Sequence, residues 1–333
     1  MPRQARLDYT GALQHVIARG VARCRIFDDT KDRQAFLGWF GSLLKESGTQ
    51  CLAWALLPNH FHLLLRTAHW PLKMVMQRLL TRYSVYYNHR HRRSGHLFQN
   101  RYKSIVCEEE PYLLELVRYI HLNPLRAREV GSYTDLARHP WCGHGAILGT
   151  RKVEWQETGD VLGEFGRSRS EARESYGEFV KEGISRGRRP ELAGGGLIRS
   201  VGGIGEAMKL VGKREKVESD ERILGSGEYV AEVIREAEHR DRRKAGMKER
   251  LDPRDVIRRA CKVVGVEESK LFGHRRMRDV SEARWLAAKW LVEDLGMTVT
   301  DVARMLKVTH PAVVYGARKG RAIEAARRAK LSN

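Results

Sequence analysis

The first 130 residues alternate between short continuous apolar runs and longer stretches with an apolar residue every three or four positions. The first pattern predicts buried strands and the second amphipathic helices. Leu13 to Ala18 reads as a strand carrying His15. Asp32 to Ser47 reads as a helix through Phe36, Trp39, Phe40, Leu43 and Leu44, stopped by Gly48. Gln50 to Leu57 and Phe61 to Arg66 are apolar strands around Pro58-Asn59, which predicts an antiparallel hairpin with His60 at the start of its second arm. A long helix over Leu72 to Arg92 is entered through Pro71, a strand covers Tyr102 to Cys107, and a helix over Pro111 to Asn123 is closed by Pro124. The order strand, helix, strand, strand, helix, strand, helix predicts an α+β fold, with a ferredoxin-like antiparallel sheet and helices mainly on one face.

Beyond Gly131 the texture changes. Val153 to Val180 has room for two short helices, and Arg186-Gly187-Arg188-Arg189-Pro190 with Gly194-Gly195-Gly196 marks a linker over 183–205. Ser226 to Arg250 reads as a charged helix. Helical periodicity resumes at Asp252, with Val256, Ile257, Ala260 and Val263 on one helix and Ala283, Leu286, Ala287, Trp290 and Leu291 on the next. Thr300 to Leu306, a turn at Lys307-Val308, and Thr309 to Arg318 predict a helix-turn-helix, with Thr300 and Thr309 as the two helix caps. The second helix of such a motif enters the major groove by its N-terminal end, which here offers Thr309, His310 and Ala312. Three domains are expected: catalytic over 1–150, connector over 151–250, and helix-turn-helix over 251–333.

Charge sharpens that division. The 333-residue chain has a net charge of +20. Residues 1–130 hold 20 Lys/Arg against 10 Asp/Glu, residues 131–250 hold 23 against 21, and residues 251–333 hold 18 against 10. Two basic ends joined by a balanced middle fit two nucleic-acid surfaces better than an even basic coat. The five cysteines are scattered and include no C-x-x-C pair, so neither a disulfide framework nor a zinc knuckle is expected. No apolar run approaches the roughly 20 residues that span a bilayer, and no signal peptide is evident, so a cytoplasmic protein with no membrane partner is expected.

The candidate chemistry starts from His60 and His62, which lie two residues apart on a strand and therefore share a face, roughly 7 Å apart. Such a pair can grip one divalent cation but needs a third ligand. Arg118-Tyr119-Ile120-His121-Leu122-Asn123-Pro124 offers it: Tyr119 and Asn123, four apart on a helix, project together, so an Asn carbonyl oxygen can complete the site beside a Tyr hydroxyl. Phosphodiester transfer needs a nucleophile, a Lewis acid and a way to lose a phenolic proton whose pKa is about 10. His121 faces away from both residues and is read as a packing or surface histidine.

Leu57-Pro58-Asn59-His60-Phe61-His62, Ser94-Gly95-His96-Leu97-Phe98-Gln99-Asn100-Arg101-Tyr102-Lys103 and the Tyr119 motif, in that order, resemble the single-tyrosine HUH transposases, most closely the REP-associated tyrosine transposases. Over residues 1–150 the resemblance implies Tyr119 as nucleophile, His60, His62 and Asn123 as ligands of Mg²⁺ or Mn²⁺, and single-stranded hairpin DNA as substrate, with Arg101, Lys103 and Arg126 as DNA contacts. Two positions depart from the pattern: many relatives have Gln at Asn123, and close ones Gly at Asn100. Asp252 to Ile323 resembles the DNA-binding domain of the bacterial replication initiator DnaA, with Pro311 in place of a polar residue. That implies double-stranded DNA as partner, contacted by Arg275, Arg276, Thr309 and His310. The competing readings are a catalytically idle DNA-binding regulator derived from a transposase, and a zinc hydrolase using the same histidines.

Overall fold

Strand formation in the first half follows from apolar runs long enough to be buried on both faces. Leu52–Leu57 and Phe61–Leu65 are without exception shielded from solvent, which is the signature of a sheet covered on both sides. The protein, seen in a computed structural model, is described over residues 7–187, 189, 192, 220–272, 277–329 and 331, with backbone alone for 240–250. It divides into two compact units, Met1–Val233 and Ile234–Asn333.

In the first unit, β1 (Leu13–Arg19), β2 (Gln50–Leu57), β3 (His60–Arg66), β4 (Lys103–Cys107) and β5 (Ile223–Leu224) form one sheet of order β2-β3-β1-β4-β5. All pairings are antiparallel except β4 with β5. The mixed α+β class is as expected, but helices cover both faces. On one side α1 (Thr30–Ser47) and α2 (Leu72–Arg90) pack Phe36, Phe40, Leu79 and Tyr83 onto Val16, Trp54, Phe61 and Leu63. On the other, α3 (Glu109–His121) packs Leu113, Leu116, Val117 and Ile120 onto Leu13, Ala55, Leu64 and Ile105. The reason is the continuous apolar runs of β2 and β3, whose second face would otherwise meet water.

Local signals set the ends of these helices. Asp29 caps α1 by accepting from the Asp32 amide at 3.1 Å, and Gly48 stops it at φ +69°. Pro124 does not end the helical path: Leu122 keeps helical angles, and a short α4 (Asn123–Arg126) follows with the proline in its first turn, where the missing N–H costs nothing. Next come α5 (Tyr133–Arg138), α6 (His144–Leu148), α7 (Gly159–Gly163) and α8 (Arg169–Glu182). Val161, Leu162, Ala172, Tyr176 and Val180 join the α3 side of the core, as do Leu192 and Leu224. The first unit therefore takes in residues that sequence patterning assigns to the connector.

A 24-residue helix, α9 (Gly227–Arg250), runs from the first unit into the second. The second unit continues with α10 (Pro253–Val264), α11 (Glu268–Leu271), α12 (Arg278–Lys289), α13 (Val299–Leu306) and α14 (His310–Ala326) around Ile257, Leu286, Trp290, Leu291, Val302, Leu306 and Val313. The cap of α13 is Thr298, which accepts from the Asp301 amide at 3.1 Å, and not Thr300; the helix begins one residue earlier than the periodicity indicates. Lys307 takes the left-handed conformation at the turn (φ +53°), and Thr309 precedes α14 without a side-chain capping bond. Among the described residues no helix is long and apolar enough to cross a membrane.

α14 lies close on α12 because Gly316 and Gly320 present bare backbone to it. A Cβ at Gly320 would collide with the Trp285 carbonyl oxygen and come within 2.7 Å of the Lys289 Cβ. Gly320→Ala should therefore force the two helices apart and cost the second unit roughly 1–3 kcal/mol, as overpacking does. Denaturant unfolding followed by tryptophan fluorescence checks this, and an unchanged transition would refute the close-approach argument.

Candidate active site

His60 opens β3 straight after the Pro58-Asn59 turn, and register does the rest. Arg19 pairs with His60 and Ile17 with His62 across β1 and β3, and directly paired residues point to the same face. That face is the one α3 covers. The two imidazoles meet edge to face with centroids 5.1 Å apart. His60 Nδ1 lies 2.7 Å from Asn59 Oδ1, and His62 Nδ1 lies 3.0 Å from His15 Nε2. Both rings thus use Nδ1 for neighbours within the protein, which leaves both Nε2 atoms for a ligand.

Burial keeps the pair neutral. Desolvation, helped by the nearby Arg19 charge, brings His60 down to about 4. His62 is pushed well below the usual histidine value by burial and by His15, His60 and Arg19 around it. Neutral imidazole is the form that ligates metal.

Tyr119 comes from the last turn of α3. Its half-buried ring stands edge-on to His62 at 5.7 Å and to His15 at 5.9 Å, with the Arg126 guanidinium 5.6 Å from its centroid. Asn123, at the start of α4, donates through Nδ2 to the Tyr119 carbonyl at 3.0 Å and the Ile120 carbonyl at 3.4 Å. Both bonds run through the amide nitrogen, so the carbonyl oxygen is the atom left to a ligand. Two neutral imidazoles side by side are a donor pair that suits an intermediate divalent ion, and they lie against the helix turn from which Asn123 follows.

Beside Tyr119 lies a pocket lined by Glu115, Arg118, Arg126, Gly183, Arg186, Arg189 and Leu192. The single Glu115 carboxylate meets Arg118, Arg186 (3.5 Å) and Arg189 (3.1 Å). Arg126 donates through Nη2 to the Gly183 carbonyl at 3.4 Å, while its Nε and Nη1 are buried without a partner among the described residues. Positive charge is therefore in excess next to the tyrosine. The sequence pattern had assigned Arg186 and Arg189 to a linker; their run of like charge was legible, but not its place against α3. His15 too was visible only as one polar residue in an apolar strand.

The other expected site residues fall as follows. Lys103 is exposed at the start of β4 and lies in one row with Ile17 and His62 across the sheet, hence on the histidine face. Arg101 is exposed in the bend before it. Thr309 and His310 are exposed at the start of α14 in the second unit, and Arg275 and Arg276 lie outside the described residues. His121 is fully buried, with Nδ1 2.7 Å from the Tyr176 hydroxyl, which also lies 2.8 Å from His144 Nδ1. It is a packing residue that ties α3 to α6 and α8, not a surface one.

A different set, Asp28, Asp32 and His91, also brings metal-type ligand atoms together. The Asp32 carboxylate there already takes Arg90, His91 and the Asp28 amide, and Asp28 takes the Tyr87 hydroxyl. These bonds join the start of α1 to the end of α2 and account for the cluster as an ion-pair node.

With this geometry in view, residues 9–123 match the family described as "Transposase IS200 like". That stretch contains β1 to β4 and ends on Asn123. Among solved structures, the chain is similar to that of a REP-associated tyrosine transposase bound to a REP hairpin, at 14% identity and a TM-score of 0.38, over 47% of this chain and 98% of that one. No curated protein matches the chain.

The depressed histidines give a pH dependence. His60 and His144 both sit at about 4 in the folded chain, against about 6.5 when unfolded. The unfolded state then binds more protons between these values, so their contribution is fully present above about pH 6.5 and lost as pH falls toward 4. Urea unfolding at pH 7.5 and at pH 5 should show a less stable first unit at pH 5. Equal midpoints would contradict the buried neutral assignment.

Proposed function

We propose that the first unit is a metal-dependent single-stranded DNA nickase and strand transferase, a transposase that acts on hairpin-forming repeats with Tyr119 as nucleophile. The observation that carries this is the Tyr119 ring packed against His62, within a domain that matches IS200-like transposases. His60, His62 and Asn123 would hold Mg²⁺ or Mn²⁺, which supplies Lewis-acid polarisation of the phosphate oxygens. Tyr119 Oη gives its proton to water and attacks phosphorus; the Oη–P bond forms as the P–O3′ bond breaks, and the departing O3′ takes a proton from water, leaving a 5′-phosphotyrosine and a free 3′-OH. One phosphodiester is exchanged for another, so attack by a 3′-OH reverses the step and rejoins DNA without a nucleotide cofactor. Arg126, with two nitrogens unpartnered among the described residues next to the ring, offers charge-assisted bonds to the strand's phosphates, and Lys103 adds a cation on the histidine face.

Tyr119→Phe should abolish cleavage of single-stranded hairpins while leaving their binding unchanged, since the ring and its packing remain. Denaturing gels read the nick and the covalent adduct, and an adduct on the Phe variant would remove Tyr119 from the role. His60→Ala and His62→Ala should each lose metal-dependent cleavage in the same assay.

The second unit is assigned to duplex DNA. The start of α14 exposes Thr309, His310, Pro311 and Ala312, and the helix further exposes Val314, Tyr315, Arg318 and Lys319. An exposed N-terminal turn with cations behind it is what a groove-entering helix presents. Residues 234–333 alone should bind duplex DNA with an affinity that falls steeply with salt, because phosphate contacts release counterions. A filter-binding titration at several salt concentrations tests this, and no duplex affinity at low salt would refute it. The matching fragment of the first unit must run to residue 233, since one ending at 150 would strip Val161, Tyr176 and Val180 from the core.

A further inference from the structure

His15 sits fully buried on β1, between the metal-type histidines and a segment that the sequence treats as connector. Its ring stacks on His62 with centroids 5.2 Å apart and planes 25° from parallel. Its Nε2 is 3.0 Å from His62 Nδ1, and its Nδ1 is 3.3 Å from the carbonyl oxygen of Leu192. A carbonyl oxygen can only accept, so His15 Nδ1 carries the proton that points at Leu192. A second proton on His15 would put a full charge among three imidazoles in a buried site, which is costly; Nε2 is therefore bare and accepts. The 3.0 Å contact then requires the proton to be on His62 Nδ1, and His62 Nε2 keeps its lone pair.

We propose that His15 is a positioning residue, which holds His62 in the Nδ1–H tautomer with Nε2 directed to the metal, and that the Leu192 carbonyl sets the direction of the relay. The proposal deepens the metal-site reading above and rests on it for the identity of the ligand. Its physical content is separate: packing against His60 and Tyr119 confines the His62 ring, but only an acceptor at Nδ1 selects its tautomer. Partners of this kind behind ligating histidines are typically worth about 10–100-fold in metal affinity. The relay also brings Leu192 into the catalytic unit, because its carbonyl reaches the metal ligand through one side chain. Arg186 and Arg189, close before Leu192 in the chain, bind Glu115 of α3.

The test uses the full chain and two independent readouts. Imidazole ¹⁵N–¹H spectra of the metal-free wild type, with His62 assigned by substitution, should show the Nδ1–H tautomer; an Nε2–H tautomer overturns the relay whatever any variant does. Calorimetric titration with Mn²⁺ alone should then show His15→Leu binding about 10–100-fold more weakly than wild type. His15→Gln, whose amide oxygen can accept from His62 while its NH₂ donates to Leu192, should stay within about threefold. Equal Mn²⁺ affinity for the folded Leu variant and wild type overturns the positioning role. A wild type with the expected tautomer that binds Mn²⁺ but fails to nick hairpins refutes the proposed function and leaves the relay standing.

Discussion

The structure depends on a sheet whose central strands are buried on both faces and yet carry imidazoles. β1 and β3 lie between α1 and α2 on one side and α3 on the other, so water cannot satisfy a polar side chain placed there. Every buried polar group must then find a partner in the protein or offer itself to a ligand. His15 and His62 find each other, His15 finds a backbone carbonyl, and His60 finds Asn59. What these bonds do not use, the Nε2 atoms of His60 and His62, is what the proposed metal site would draw on. Burial also makes those atoms usable, because it depresses both histidines and leaves them neutral.

The second organising interaction is electrostatic. Glu115 on α3 is a lone carboxylate among Arg118, Arg186 and Arg189, with Arg126 nearby and only partly bonded. Such an arrangement ties Arg186 and Arg189, beyond α8, to the helix that bears Tyr119, and it leaves net positive charge beside that tyrosine. One cluster therefore serves both cohesion and the field around Tyr119. His121 and His144 on Tyr176 do the corresponding work on the buried side of α3, joining that helix to α6 and α8 through hydrogen bonds rather than charge. The tyrosine helix is thus fixed from both flanks, and that rigidity is what places the Tyr119 ring edge-on to His62.

Much of this was legible in the chain itself, because it depends on local chemistry. Apolar period, Pro58-Asn59 and Gly48 gave the strands, the hairpin and the helix ends to within a few residues, and the two-residue spacing of His60 and His62 put them on one face whatever the fold. The four-residue spacing of Tyr119 and Asn123 survived a proline, since Pro124 falls where a helix tolerates it. Decisions that join distant residues were not legible. That helices cover both faces, that residues 161–180 and 223–224 complete the core and sheet of the first unit, that Arg186 and Arg189 converge on Glu115, and that His15 backs His62 across 47 positions are all set by packing and register. Sequence spacing determines what a residue can face within its own element; only the tertiary fold decides which element it meets there, because burial leaves a polar group to be satisfied by whatever the packing brings within reach.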